Sequence, residues 1–167
     1  MRAVLSGDFG KLDALGNRIK RFGTKTTLRG ISGEMAGETH ELISDGFDAE
    51  RSPEGKKWAA RAIPENSPIN FRRGRLRTSF KTKRLSASGY VVGSTVKHSL
   101  WAQKGRGPVK PKKKSVLKFY AGGRWRSSKG VGPAPARPVV PERSSRVPVG
   151  WQTRLRQKAQ TELNKRW

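Results

Sequence analysis

The sequence predicts an α+β fold, because helical periodicity at its two ends flanks a middle stretch with the features of short strands. Apolar residues recur every three or four positions before residue 48 and again after residue 150. Between them, short runs rich in valine and aromatic residues are separated by glycine and serine turns. With 167 residues, the chain is expected to form a single domain, 1–167.

Two helices are predicted in the N-terminal part. The first covers residues 9–22, where apolar side chains recur at helical spacing between Asp8 as the N-cap and Gly23 as the stop. The second covers residues 26–47, and its apolar stripe ends at Phe47. Both helices are amphipathic, so each is expected to bury one face against the rest of the domain.

Turns and short strands are predicted next. Pro53 and Gly55 fix a turn that lets Trp58 fold back onto the end of the second helix. Residues 80–85 and 89–94 are bounded by polar and glycine residues and predict a β-hairpin with a serine-rich turn. This hairpin is the centre of the small antiparallel sheet that we expect.

The second half of the middle stretch predicts one more helical segment and two more strands. Residues 96–103 predict one or two helical turns, and residues 116–120 a third strand. After a double-glycine turn, residues 124–126 can pair back onto it and form a long basic hairpin. The side chains expected to anchor the core are Phe47, Trp58, Leu76, Phe80 and Trp101.

Two irregular segments and a last helix complete the predicted architecture. Residues 104–114 are rich in lysine and contain no acid, which predicts a solvated loop or arm. Residues 130–149 contain repeated prolines, so we expect them to run as an extended arm that orders on a partner. The final helix begins at Trp151 and carries leucines on one face.

The acidic residues stop early in the chain while the basic residues continue to its end. Residues 1–65 contain 11 Lys and Arg and 10 Asp and Glu, whereas residues 66–167 contain 26 and 2. The net charge of +25 therefore belongs almost entirely to the second segment. A segment of one sign repels itself, so it predicts a negatively charged partner, either acidic protein or a polyphosphate.

The residue types argue against an enzyme. There is no cysteine, and no pattern ties His40 or His98, the two histidines, to a carboxylate or a nucleophile. No phosphate-binding glycine motif stands between a strand and a helix, and the acid-poor segment offers few metal ligands. We therefore expect no cofactor and no metal. No apolar run approaches the roughly 20 residues that span a bilayer, so no membrane contact is expected.

The basic residues that stand beside aromatic residues or prolines are the candidate contact sites. Lysines and arginines interleaved with Phe119, Tyr120 and Trp125 are typical of a nucleic-acid-binding surface. They are equally compatible with a solvated face beside acidic protein neighbours. Between two prolines, Arg137 is held in an extended conformation that suits an ion pair to a neighbouring subunit, and simple exposure to solvent is the alternative. The candidates are Arg72, Arg73, Arg75, Arg77, Lys110, Lys112, Lys113, Lys114, Lys118, Arg124, Arg126 and Arg137.

Five short motifs occur in a fixed order along the chain. They are FDAERSPEGKKWA at 47–59, GRLRTSF at 74–80, VVGS at 91–94, HSLWAQKG at 98–105 and PARPVV at 135–140. In this order and spacing they resemble the virion-morphogenesis, or tail-completion, family of tailed bacteriophages, including Mu-like phages. The resemblance covers residues 9–166, and it departs from the family in residues 104–130, which are longer and more basic.

The resemblance implies a structural protein of the phage neck. By that implication, copies form a ring, expected to be hexameric, that completes the tail and joins it to the head connector. Its neighbours would be connector or stopper proteins and tail-tube or terminator proteins, with possible contact to packaged DNA. It would reside in the virion after assembly in the host cytoplasm. The alternative from the residues alone is a basic nucleic-acid-binding protein of the ribosomal or chromatin type.

Overall fold

The computed structural model describes residues 23–60, 74–112, 115–142 and 146–166, together with Asn17 and Lys20, which are helical. Within these residues it contains three helices and two separate two-stranded antiparallel sheets, so the α+β class is confirmed. The rest of the predicted first helix, 9–22, lies outside the described residues. The elements are α1 (Lys25–Asp48), a 3-10 turn (Arg77–Ser79), β1 (Phe80–Ser86), β2 (Gly89–Ser94), α2 (His98–Lys104), β3 (Leu117–Ala121), β4 (Arg124–Ser128) and α3 (Val149–Arg166).

Helix α1 is the predicted second helix, and its ends have identifiable causes. The hydroxyl of Thr24, the N-cap, accepts a hydrogen bond of 3.3 Å from the backbone N–H of Thr27. At the other end Glu50 adopts a positive φ of 51°, which reverses the chain. The backbone N–H of Trp58 then donates to the carbonyl of Glu50 at 2.8 Å, so the chain returns alongside the helix end.

The β1–β2 hairpin lies against α1. Its Tyr90 hydroxyl is 2.7 Å from that of Thr39, and Thr82 is 3.1 Å from Nε2 of His40. On the same hairpin, Leu85 packs over Gly33 of α1, where an added Cβ would lie 3.7 Å from a methyl group of the leucine. Polar and apolar contacts therefore fix the same face of α1 onto the hairpin.

The core forms where α1 ends. The ring of Phe47 meets Trp58 edge-to-face at a centroid distance of 5.6 Å and Phe80 at 6.3 Å. Leu76 is 5% exposed and belongs to the same cluster. Four of the five predicted core anchors therefore lie in this core, which is completed by Leu42, Ile43, Val139 and Trp151.

The prediction of Trp101 as a core anchor is wrong. Trp101 is 54% exposed, and its neighbour Leu100 is 58% exposed. Helix α2 has only seven residues, and it turns Ala102 toward the core. Successive positions on a helix differ by about 100°, so burying Ala102 directs the two larger side chains outward.

The predicted single sheet is divided in the structure. Strands β3 and β4 pair with each other and not with β1 or β2. The proline-rich stretch is described at residues 130–142 and 146–149, and Val149 is the first residue of α3. Val131 and Ala134 pair with Val109 and Arg106, and Val139 is 4% exposed in the core. Before Val149 the described residues of this stretch contain no helix, and they contact their own chain.

Helix α3 confirms the predicted C-terminal helix and packs along α1 with opposite charges facing. Arg154 contacts Glu38 at 2.6 Å, Asp45 at 2.5 Å and Glu41 at 3.7 Å. Further pairs join Lys158 to Glu34 at 3.3 Å and Arg77 to Asp48 at 2.5 Å. All five carboxylates of α1 therefore have basic partners from residues 66–167.

These ion pairs stabilise the charged forms of the bases. The hydrogen bond that Arg154 donates to Asp45, together with the charge of Glu38, raises the pKa of Arg154 above its usual value. The hydrogen bond to Glu34 likewise raises the pKa of Lys158. The acids of α1 are thus paired within the fold.

Candidate interaction site

Residues 105–134 form one long antiparallel ribbon, which we call the arm. At its base Arg106 pairs with Ala134 and Val109 with Val131. Further out, β3 and β4 pair from Leu117 opposite Ser128 to the double-glycine turn. Between these two paired regions, one strand has the described residues 110–112 and 115–116, whereas the other has only residues 129–130. The longer side carries Lys110 and Lys112, and we call its described residues the lysine bulge.

The base of the arm requires glycine at position 105. Gly105 has a φ of +78°, a conformation that residues with a side chain rarely adopt. An added Cβ would lie 2.8 Å from the carbonyl oxygen of Ala134 and 3.0 Å from the nitrogen of Ala136. Both the conformation and the space exclude a side chain, so the two strands of the arm begin in close contact at this point.

A side-chain amide fixes the strand that returns from the arm. Nε2 of Gln103 donates to the carbonyl of Val140 at 2.6 Å. The Oε1 atom of Gln103 accepts from the backbone N–H groups of Val139 and Val140 at 3.1 and 3.3 Å. The side chain of Gln103 thus supplies the hydrogen bonds that a neighbouring strand would give to Val139 and Val140, and it connects α2 to the core.

Arg137 is held inside its own chain. Its backbone N–H donates to the carbonyl of Ala102 at 2.7 Å. Its guanidinium donates to the carbonyls of Ala59 and Ala60 at 2.9 and 3.0 Å. Next to it, the indole N–H of Trp58 donates to the carbonyl of Pro138 at 2.9 Å. These contacts, with those of Gln103 and Gly105, form a unit that we call the junction, from which the arm projects.

The arm contains nine Lys and Arg and no acid. Its described basic side chains are exposed apart from those of Arg106 and Arg126, which are partly buried. Among the residues that the structure describes, none of these bases forms an ion pair. The exposed bases are Lys110, Lys112, Lys118, Arg124 and Lys129.

Two aromatic side chains lie on one face of the arm near its tip. Tyr120 and Trp125 are paired across the strands, and their rings meet edge-to-face at 5.8 Å. The tyrosine hydroxyl donates to the carbonyl of Gly123 at 2.8 Å, which fixes the ring over the turn. Trp125 is nevertheless 74% exposed. On the opposite face Arg126 donates from Nε to the carbonyl of Ala121 at 3.0 Å.

The predicted contact residues fall into three groups. Arg75 is exposed, as are four of the described candidates on the arm, whereas Arg126 is partly buried. Arg77 and Arg137 were expected to face a partner, but both bind their own chain, because Ser44, Asp48 and the carbonyls after Trp58 lie within their reach. The candidates outside the described residues are Arg72, Arg73, Lys113 and Lys114.

Sequence reasoning assigned no role to Gln103 or Gly105, although both stand in one of the five motifs. A glycine directly after a short helix is the usual signal for a positive φ. No comparable signal marks Gln103, because its partners lie 36 and 37 residues further along the chain.

An apolar groove of about 640 Å³ lies between α1, β2 and α3. Its lining includes Tyr90, Val91, Val147 and Trp151, with Glu142 at one side. In the described part of the chain no group of three potential metal ligands occurs. No described helix is both long and apolar enough to cross a membrane.

Comparison with known proteins adds no relative: no protein-family model, no curated protein and no solved structure matches this chain.

Proposed function

We propose that this protein is a structural component of the neck of a tailed phage. In this proposal it completes the tail and joins it to the head connector as a homo-oligomeric ring, expected to be a hexamer. Its neighbours in the virion are a connector or stopper protein and a tail-tube or terminator protein. The observation that carries the proposal is the convergence of three of the five sequence motifs, those at 47–59, 98–105 and 135–140, at the junction.

The motifs that carry the resemblance are far apart in sequence and close together in space. Trp58 of the first motif bonds to Pro138 of the last, some 80 residues away. Arg137 of the last motif also bonds to Ala59, at the end of the first. In the fourth motif, Gln103 bonds to Val139 and Val140. Residues that act together structurally are expected to occur together in a family, which supports reading the motifs as one signature.

A ring requires a patch on one subunit that fits a different patch on the next. Leu100 and Trp101 offer such a patch, because two large apolar side chains are exposed side by side on α2 next to the junction. Tryptophan is enriched among the residues that dominate protein interfaces. The exposure of Trp101, which is unfavourable for an isolated subunit, is then explained by a neighbouring copy that covers it.

The oligomer test compares two exposed tryptophans by light scattering of the purified protein. Trp101→Glu is expected to reduce the native mass to that of a monomer, because a charge would be buried in the contact between subunits. Trp125→Glu is the matched control, since it introduces the same charge at an exposed site on the arm. A wild-type protein that is monomeric at every concentration, or equal masses for the two variants, would contradict the proposed contact.

The functional test uses a phage that encodes this chain. A stop codon at Trp58 is expected to leave filled heads and complete tails unjoined in the lysate, as seen by electron microscopy. Supplying the wild-type protein should restore joined particles. Joined, infectious particles in its absence would refute the proposed function.

The second candidate is a basic nucleic-acid-binding protein that acts outside a virion. The exposed bases and aromatic rings of the arm favour it. The native mass with and without DNA separates the two functions. A protein that stays monomeric until DNA is added and has no effect on particle joining would favour the second candidate.

A further inference from the structure

We propose that the arm is a β-ribbon that binds duplex DNA, with bases on both faces contacting phosphates and Trp125 contacting the bases of the DNA at the tip. This inference deepens the proposed function by naming a partner, and it rests on that function for the choice of duplex over single-stranded DNA. Its structural support is independent and comes from the charge, shape and exposed aromatic side chains of the arm.

Among the described residues, the bases of the arm form no ion pair. The five carboxylates of α1 are already paired with Arg154, Lys158 and Arg77. Of the other described acids, Glu162 is buried beside Lys165, and the remaining three are Glu50, Glu54 and Glu142. The described part of the chain therefore offers few acids to neutralise the nine bases of the arm, which favours a partner other than a second copy.

The distribution of the bases favours a nucleic acid over an acidic protein surface. Side chains alternate between the faces of a strand, so Lys118 lies on the face of Tyr120 and Trp125. On the opposite face lie Arg124 and Arg126. A flat acidic surface would contact only one of these faces. The major groove of DNA is about 12 Å wide and admits a two-stranded ribbon, where phosphates flank both sides.

The lysine bulge extends the charged surface toward the base of the arm. Lys110 and Lys112 are exposed there, and Lys129 is exposed on the strand opposite. On the shorter strand, the paired positions from Arg124 to Val131 span seven residue steps. At about 3.3 Å per step this limits the paired length to roughly 23 Å. The arm is therefore long enough to follow a groove across several phosphates on each strand.

The stability of the hairpin does not explain why the side chain of Trp125 is exposed. Its edge contact with Tyr120 covers only part of the indole ring, which is 74% exposed. Base faces are covered by stacking in a duplex, so the indole would reach base edges, where the methyl group of thymine offers an apolar contact in the major groove. The hydrogen bond from Tyr120 to Gly123 keeps the neighbouring ring in place, which prepares the tip for such a contact.

The experiment measures binding of the full-length protein to a fluorescently labelled duplex by anisotropy over a range of salt concentrations. The wild type is expected to bind at physiological salt, with an affinity that falls steeply as salt rises. The triple variant Lys112→Gln, Lys118→Gln, Arg124→Gln should lose about 0.9 from the salt slope for each replaced base. The triple variant Lys56→Gln, Lys57→Gln, Lys97→Gln loses the same charge from exposed sites off the arm, and it should keep the wild-type slope.

The aromatic contact is tested by a separate substitution. Trp125→Ala is expected to weaken duplex binding about tenfold without changing the salt slope, because it removes an apolar contact to base edges and no charge. Trp125→Phe should retain most of the affinity. Circular dichroism of each variant verifies that it is folded.

Three outcomes would overturn the inference. They are no binding of the wild type at physiological salt, equal slope changes in the two triple variants, and competition by poly-glutamate as effective as that by duplex DNA. The last would identify an acidic protein as the partner. An oligomeric protein that does not bind DNA would refute this inference and leave the proposed neck function intact. A monomeric protein that binds DNA would support this inference and contradict the proposed ring.

Discussion

Charge is arranged in opposite ways in the arm and in the rest of the described chain, which we call the body. In the body, the carboxylates of α1 face Arg154, Lys158 and Arg77, so these three bases are paired within the fold. In the arm, nine bases stand with no acid among them. The apolar residues divide in the same way, since the core cluster contains no residue from 105–134. Stability is therefore concentrated in the body, and the arm is available for a partner.

Removing one aromatic ring from each region should give the largest contrast. Phe47→Ala creates a cavity where α1, Trp58 and Phe80 meet, and it should lower the free energy of unfolding by about 3–5 kcal/mol. Trp125→Ala removes an exposed ring and should change it by about 0.5 kcal/mol or less. Urea denaturation of both variants measures the difference. Comparable losses would mean that the arm is part of the cooperative core.

The junction is the next point at which the two regions can be separated. Gly105→Ala places a Cβ against the backbone of Ala134 in a strained conformation, and should destabilise the protein by about 1–3 kcal/mol. Gly107→Ala is the matched control, because its added Cβ would meet no atom within 4 Å. Thermal unfolding should distinguish the two variants. Equal melting temperatures would show that the close approach at Gly105 is not required.

The amide of Gln103 is expected to contribute somewhat less. Gln103→Glu keeps the shape but replaces the N–H donor with an oxygen that faces the carbonyl of Val140. The loss should be about 1–2 kcal/mol, because a partly buried acceptor is left without its donor. Gln160→Glu, on the exposed face of α3, serves as the control. An unchanged free energy of unfolding for Gln103→Glu would indicate that water or another donor replaces the amide.

The sequence predicted the elements whose signals are local. The apolar stripe ending at Phe47 and the turn at Pro53 fixed α1 and the return of Trp58, because each depends on a few adjacent residues. The orientation of α2 was wrong, since a helix of seven residues has too few apolar positions to show which face is buried. Trp101 was therefore placed in the core on size alone.

The contacts of the candidate site depend on residues that are far apart in sequence. Arg77 meets Asp48 across 29 residues, and Arg137 meets Ala59 across 78. From the sequence, both arginines are indistinguishable from those of the arm. The pairing at the base of the arm was also missed, because Arg106 and Val109 lie among prolines and glycines that interrupt the alternation of a strand.

The smallest expected effect concerns the charges that make the body differ from the arm. Arg154→Gln should destabilise the protein by about 1 kcal/mol or less, because its side chain is 41% exposed and solvent screens the pairs. High salt should reduce this difference between wild type and variant. Lys118→Gln on the arm removes the same charge without breaking a pair, so its stability should be unchanged or slightly higher.

The pH dependence gives an independent test of the same ion pairs. Pairing raises the pKa of Lys158 in the folded protein above its unfolded value of 10.5. The stabilisation is therefore fully present below that value and is lost as the pH rises through the folded pKa. Unfolding measured in alkaline buffers should show the wild type losing stability in this range, while Lys158→Gln loses less. Equal losses would show that the contact between Lys158 and Glu34 does not stabilise the fold.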